Sequence, residues 1–554
     1  MFERKKERLF EVPTAAKAKT TNSNPFIAAA QSKAAETLSG NGAKKFSSTG
    51  SPFVDQFGKL GSYKVKRNFS DIVNDCELLW ANSPKLAVVF IFYIRMITRV
   101  INLVTFKTST SQKGAELRHE GIMRMMWLHN KSPKTFYKNL WLFPLVGSWR
   151  DIFLMLQYDL MYHGWDKKVL DWDSIGKFIF SGLQNENVSG LVKKYLPQIK
   201  ARSKCTTIES QADTMIGKWI CSKLNIGYKE YRKLKSSGNA HSWQQLISQQ
   251  KYDLIDFDKI HGRALTLMVK GKFLYKHGLR AKYESWVTAP ETSVKSTGFI
   301  HEIMSMCAKY ANIGTMPNHE QVTCHKQAET LVSKAGDKVK TSFIVVRDTS
   351  GSMGSLATGT NMSCGNIAKS IALYFSALFD NLNSPFHNAW IEFNSDARLH
   401  IWQGSTFPEK WFNDRANFIG GTDFLSVIRL FIAMKSKGVA ESAYPTGLLC
   451  ISDQEFNPAS LEQTNVERAL QMLRTAGFSE EYCNNFVIVL WNLQSNAYGR
   501  GTGEKFETFG NVKNVFYFSG YSAAAISFLT EGITNAEELF LKAMDQEVLN
   551  LIEL

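Results

Sequence analysis

The chain contains no Cys-x-x-Cys pair, no H-E-x-x-H and no G-x-x-x-x-G-K-[ST] loop. Zinc ribbons, thioredoxin-type redox motifs, zincin proteases and P-loop nucleotide hydrolases are thereby disfavoured. Only 13 of 554 residues are proline and 37 glycine, which excludes collagen-like and low-complexity architectures. The longest unbroken apolar run, Leu86 to Ile94, is stopped by Arg95. A bilayer needs about 20 such residues, so no membrane partner is expected. The amino terminus carries charge without an apolar core, and eight scattered cysteines suggest a reducing compartment, so the expected location is cytoplasmic.

What is present is globular composition, 44% apolar and 21% charged, in a chain too long for one core. Its charge is divided. Residues 1–340 hold 52 Lys and Arg against 28 Asp and Glu, whereas residues 341–554 hold 14 against 22. Two halves of opposite sign suit two domains with different partners, and the basic half suits a polyanion.

Texture follows the same division. Residues 1–50 are rich in Ala, Ser, Thr, Asn and Lys, and read as a mobile basic tail and leader. Residues 51–338 repeat apolar residues at three- and four-residue spacing, as in 85–104 and 112–129, which predicts an all-helical array of antiparallel pairs. Residues 339–554 change to short apolar runs (341–348, 388–396, 446–453, 486–493, 514–520) alternating with amphipathic helical stretches. That alternation predicts a doubly wound parallel sheet whose ligand site lies at the carboxyl ends of its strands. The fold class is thus multidomain, α followed by α/β.

The first strand of the second domain runs into Asp348-Thr349-Ser350-Gly351-Ser352. Two further polar clusters, Gly420-Gly421-Thr422-Asp423 and Ser452-Asp453-Gln454-Glu455, close later segments. Together Asp348, Ser350, Ser352, Thr422 and Asp453 offer hard oxygen donors and neither thiolate nor imidazole. That set suits Mg²⁺ or Mn²⁺. Its low formal charge leaves the cation electrophilic, so an acidic group from a partner completes the octahedron. The alternative is a helix-capping loop without metal.

This constellation resembles the metal-ion-dependent adhesion site (MIDAS) of the von Willebrand factor A fold. Asp-Thr-Ser-Gly also occurs in aspartic proteases, but the second copy needed for their carboxylate dyad is missing. Arg347 departs from the pattern, since that strand position is usually apolar. The whole arrangement is similar to the Ro ribonucleoprotein family, a helical TROVE module of HEAT-like repeats closed into a ring and followed by a von Willebrand A domain. It is also similar to the family known as domain of unknown function 2828, found in plants, fungi and phages. The residues carrying that likeness are 38–63, 112–129, 139–152, 231–234, 345–353, 451–456 and 489–495.

The resemblance implies binding of small structured or misfolded RNA on a basic helical surface, with single-stranded ends admitted to a central hole. The sequence supplies candidates of its own. Lys229, Arg232, Lys233 and Lys235 interleave with Tyr228 and Tyr231. Lys270, Lys272, Lys276, Arg280 and Lys282 interleave with Phe273, Tyr275 and Tyr283. Arg118, His119 and Arg124 form a third group. Cations neutralise phosphates and exposed rings stack on unpaired bases; the alternative for each run is a solvated helix face with its rings in the core. No general base stands out beside Asp348 and Asp453, so no enzyme is expected. The leading expectation is a Ro-like RNA-binding protein. The alternative is an interaction or assembly scaffold, of phage or host, acting through the adhesion site without RNA.

Overall fold

The computed structural model describes residues 36–38, 44–46, 48–61, 67–102, 109–164, 166–238, 243–260, 262–296, 299–335, 343–357, 360–381, 384–416, 420–454, 456–459, 463–493, 514–519 and 536–554. Residues 1–35, read above as a mobile tail, lie outside them. The chain divides into two compact units. One takes Lys66–Lys251 with Ala543–Leu554, the other Asn24–Val65 with Tyr252–Lys542.

The first unit is built on helices that include α1 (Phe69–Asn82), α2 (Pro84–Arg95), α3 (Arg118–Lys131), α4 (Trp149–His163) and α5 (Tyr228–Ser237). Helix α2 starts where Pro84 presets the first turn and the Ser83 hydroxyl accepts from Leu86 N. Its apolar side chains are buried almost all round, against α1 and α3. The helical period continues in sequence to residue 104, yet the helix stops at Arg95. A hairpin of Arg99–Asn102 with Ser109–Gln112 follows. The β-branched Ile97, Thr98, Val100 and Ile101 favour extended backbone over a fourth and fifth turn. Arg95 itself is buried and meets Asp151 at 2.7 Å. Asp151 also caps α4, accepting from Ser148 N at 2.8 Å. Gly147 is required there, because a Cβ would stand 2.1 Å from Asp151 Oδ2.

The second unit carries six strands: β1 (Phe343–Asp348), β2 (Ala389–Phe393), β3 (Ala397–Ile401), β4 (Gly447–Ser452), β5 (Val487–Asn492) and β6 (Val515–Ser519). Their order is β6-β5-β4-β1-β2-β3. All neighbours are parallel except β2 and β3, which pair antiparallel at the edge. This is a helical architecture followed by a doubly wound α/β sheet. Every residue of β1 and β4 is buried, as strands covered by helices on both faces must be. One face packs Ile344, Val346, Ile391, Leu448 and Ile488 under α7 (Leu425–Ser436) and the helix Asn465–Thr475. The other lies against α6 (Cys364–Asn381). Chain order reverses between β1 and β4, which opens the crevice at their carboxyl ends.

Candidate functional site

Asp348 closes β1 inside that crevice and is fully buried. Its Oδ1 accepts from Ser350 N at 2.8 Å, and its Oδ2 accepts from the Ser452 hydroxyl at the end of β4. Ser452 Oγ in turn accepts from Gln454 N at 2.8 Å. The chain then enters a short 3₁₀ turn, Gly351–Gly354, which sets the Ser350 and Ser352 hydroxyls 3.1 Å apart. Ser350 is buried and Ser352 exposed, so the pair lines the way from the buried carboxylate to solvent.

Asp453 follows directly on β4 and is nearly buried. Burial first, and the Asp453 charge second, push the Asp348 carboxyl up to about 7. The Cys364 thiol, at the first turn of α6, is pushed up to about 12 by burial and then by the charges of Asp453 and Asp348. Both carboxylates therefore act on one small volume at the head of α6.

Thr422 precedes α7 and is 2% exposed. Its carbonyl accepts from Asn457 N at 2.8 Å, while its hydroxyl makes no hydrogen bond among the described residues. Two residues earlier, Gly420 O faces Gly351 N at 3.5 Å, linking this loop to the Asp348 loop. Gly420 holds φ +90°, and a Cβ there would lie 2.6 Å from Ser395 Oγ. The same hydroxyl accepts from Gly421 N at 2.9 Å, so the Gly-Gly pair is needed to seat Thr422. Asp423 turns away to pair with Arg429, and Glu455 lies outside the described residues. The described residues contain no group of three or more His, Cys, Asp or Glu placed to hold a metal. This cluster instead joins two carboxylates to hydroxyls.

Sequence reasoning missed the residues that support this loop. Thr349 Oγ1 donates to Glu392 Oε1 at 3.0 Å, and Glu392 Oε2 meets His400 Nε2 at 2.7 Å. A glutamate inside the apolar β2 segment was the available signal. Arg347 points to the opposite face of β1, where its guanidinium donates to Asp414 at 2.8 Å and lies 4.7 Å from the Trp390 ring. Lys369 reaches the same Asp414 at 3.1 Å. Burial lowers the Lys369 ammonium to about 8 against the pull of Asp414. Burial alone would raise the Asp414 carboxyl, but Arg347 and Lys369 hold it below the usual range. The cation just before Asp348 is thus spent on Asp414 rather than on the crevice.

The basic candidates separate sharply. Lys229, Arg232 and Lys233 on α5 are exposed, with Tyr228 half-exposed beside them. Tyr231 is core, its hydroxyl donating to Pro197 O at 2.8 Å. In the other unit Lys272, Lys276 and Arg280 are exposed around Tyr275, itself 81% exposed, while Tyr283 is core. Arg118 is partly exposed, and His119 bonds Tyr158 Oη at 3.0 Å. One expectation is corrected, and three lysines are found engaged by protein acceptors, Lys282 while remaining exposed. Arg124 is fully buried and pairs with Glu120 at 2.8 Å and Asp75 at 3.3 Å, so it reaches no polyanion. Lys235 donates to the carbonyls of Leu196 and Lys194. Lys270 is half-buried on Ser305 at 2.8 Å, and Lys282 holds the carbonyls of Asp253 and Ile255. Each of these four cationic groups is thus engaged by acceptors of the protein itself.

Residues 342–550 match the family described as a domain of unknown function, DUF7788. No curated protein matches the chain. Among solved structures, the chain is similar to the RO (RSR) protein of Deinococcus radiodurans, with 11% identity and a TM-score of 0.34. That alignment covers 87% of this chain and 93% of the other.

Proposed function

We propose that this protein is a Ro-like RNA-binding protein whose α/β domain grips a divalent cation and, through it, an acidic group of a protein partner. The observation that carries the cation reading is the buried cluster at the β1–β4 crevice. It combines an Asp348 carboxyl raised by burial and by Asp453 with the hydroxyls of Ser350 and Ser352, and the loop that carries buried Thr422 is joined to it through Gly420 O and Gly351 N. Hard oxygen donors of low total charge suit Mg²⁺ or Mn²⁺, and a divalent ion relieves the carboxylate repulsion. When bound, the ion would supply an electrophilic position for an outside carboxylate. Ser352, on the exposed side, would be the hydroxyl donor nearest solvent.

Protons compete for the same carboxylate, and the sign is determinate. Because the folded pKa of Asp348 is raised from 3.8 to about 7, the cation-free protein loses stability as pH climbs through that interval. Mg²⁺ offsets the loss only where Asp348 is ionised. The shift in melting temperature produced by Mg²⁺ should be small at pH 5.5 and full at pH 8. Mg²⁺ at 100 times its Kd contributes about 2.7 kcal/mol. A shift that is equal at both pH values would remove Asp348 from the site.

The RNA reading rests on the charge division of the chain and on exposed cations beside exposed rings, above all Lys272, Lys276 and Arg280 around Tyr275. Filter binding of the full chain to a single-stranded RNA across a salt series tests it. Lys272→Ala/Lys276→Ala should flatten the log–log salt slope by roughly 1.4, at about 0.7 per lost phosphate contact. Tyr275→Ala should cost about 1–3 kcal/mol for a lost stacked base. Affinity no greater than that of a control protein of equal charge would leave the cation site as the sole ligand point.

A further inference from the structure

The outer edge of the sheet carries an arrangement that neither the cation cluster nor the basic surfaces use. Among the described residues, strand β3 pairs with β2 on one side only. Trp402 N donates to Asn388 O at 2.9 Å, and Asn394 N donates to Asp396 O at 3.0 Å. These two bonds fix the even-numbered residues of the strand as those whose backbone groups face β2. The backbone groups of Ala397, Leu399 and Ile401 consequently face outward. Among the described residues, only Ile401 O of these has a partner, the Gln403 amide at 3.4 Å.

The same odd-numbered residues show apolar side chains. Leu399 is 57% exposed and Ile401 is 53% exposed. They stand on one face, opposite Ile391 and Ala389 of the core. On the other face Arg398 is 70% exposed, and its nearest acid, Asp396, is 4.0 Å away and equally open to water. Edges are ordinarily blunted by charge, proline or a bulge. Here outward-facing backbone groups and bare aliphatic side chains coincide on Leu399 and Ile401, while the Ala397 side chain is buried.

We propose that β3 is a strand-addition site for an extended segment of a partner protein, with apolar residues at alternate positions and an acidic residue between them. Backbone bonds to Ala397, Leu399 and Ile401 set the extended conformation. Alternate apolar side chains cover Leu399 and Ile401, and an acid opposite Arg398, next to the residue that covers Leu399, meets its guanidinium. A second copy of this strand fits less well. Registers that lay Leu399 on Leu399 or on Ile401 set Arg398 against His400, or His400 against itself, and supply no acid.

The test uses the full chain in EDTA, which separates this surface from the cation cluster. A fluorescein-labelled Val-Glu-Val-Glu-Val-Glu-Val peptide and its Val-Lys counterpart are titrated by anisotropy. The wild type should bind the Glu peptide at least about tenfold more tightly than the Lys peptide, as a cross-strand ion pair plus its loss predicts. Leu399→Lys should lose that binding, and Arg398→Glu should reverse the preference between the peptides. Equal binding of both peptides, or Arg398→Glu without reversal, overturns the proposal. Sedimentation showing self-association that Leu399→Lys abolishes would also overturn it, by giving the edge to a second copy.

Discussion

Asp348→Asn should abolish the calorimetric signal for Mn²⁺ while raising the melting temperature of the cation-free protein at pH 8. The two effects have one origin. The native carboxylate is wholly buried beside Asp453, and burial with that charge raises its pKa to about 7. Asparagine keeps the size and the hydrogen-bonding reach toward Ser350 N and Ser452 Oγ, but it brings no charge to repel Asp453. It also brings no charge to hold a cation, so affinity should fall at least about a hundredfold, near 2.7 kcal/mol. A structural role for Asp348 would lower stability and leave the Mn²⁺ heat unchanged. Equal heats in wild type and variant would place the cation elsewhere.

Asp414→Ala should be the most destabilising single change near the site, at about 3–5 kcal/mol by chemical denaturation of the α/β transition. It leaves Arg347, fully buried, and Lys369, nearly so, facing each other with no acid between them. The aromatic faces of Trp390 and Trp411, 4.7 and 4.4 Å from these cations, soften the loss but do not neutralise charge. Arg347 lies next to Asp348 in β1, so the crevice should lose its cation affinity in the same variant. Arg347→Met in the Asp414→Ala background should recover part of the stability, since it removes one of the two neighbouring buried cations. A cost below about 1 kcal/mol would mean that water enters and screens the cluster.

Much of the crevice was legible because its parts are short-range. Asp348, Ser350 and Ser352 fall on one turn, and a strand that ends in Asp-x-Ser-Gly-Ser sets its own loop geometry. Thr422 and Asp453 were legible as polar residues where apolar segments stop. Their supports were not. Ser452 bonds Asp348 across 104 residues, and Asp414 finds Arg347 across 67. Such pairs are chosen by strand order, which no local pattern reports. Which members of the basic runs stand exposed was illegible for a related reason. Arg124 and Lys235 have the same chemistry as Lys233, yet two of them are anchored inside the helical packing and one is free to meet a phosphate.

The sequence by itself determined the helix-then-sheet order, the opposite charge of the two halves and the oxygen-donor character of the loop after β1. Each follows from periodicity, composition or residues adjacent in the chain. Only the tertiary structure decided that residues 252–335 group with the sheet, that α2 ends at Arg95 and that Leu399 and Ile401 stand bare on an open edge. Those outcomes depend on which surfaces meet. Burial energy is a property of a pair of faces, and one strand of text carries only one of them.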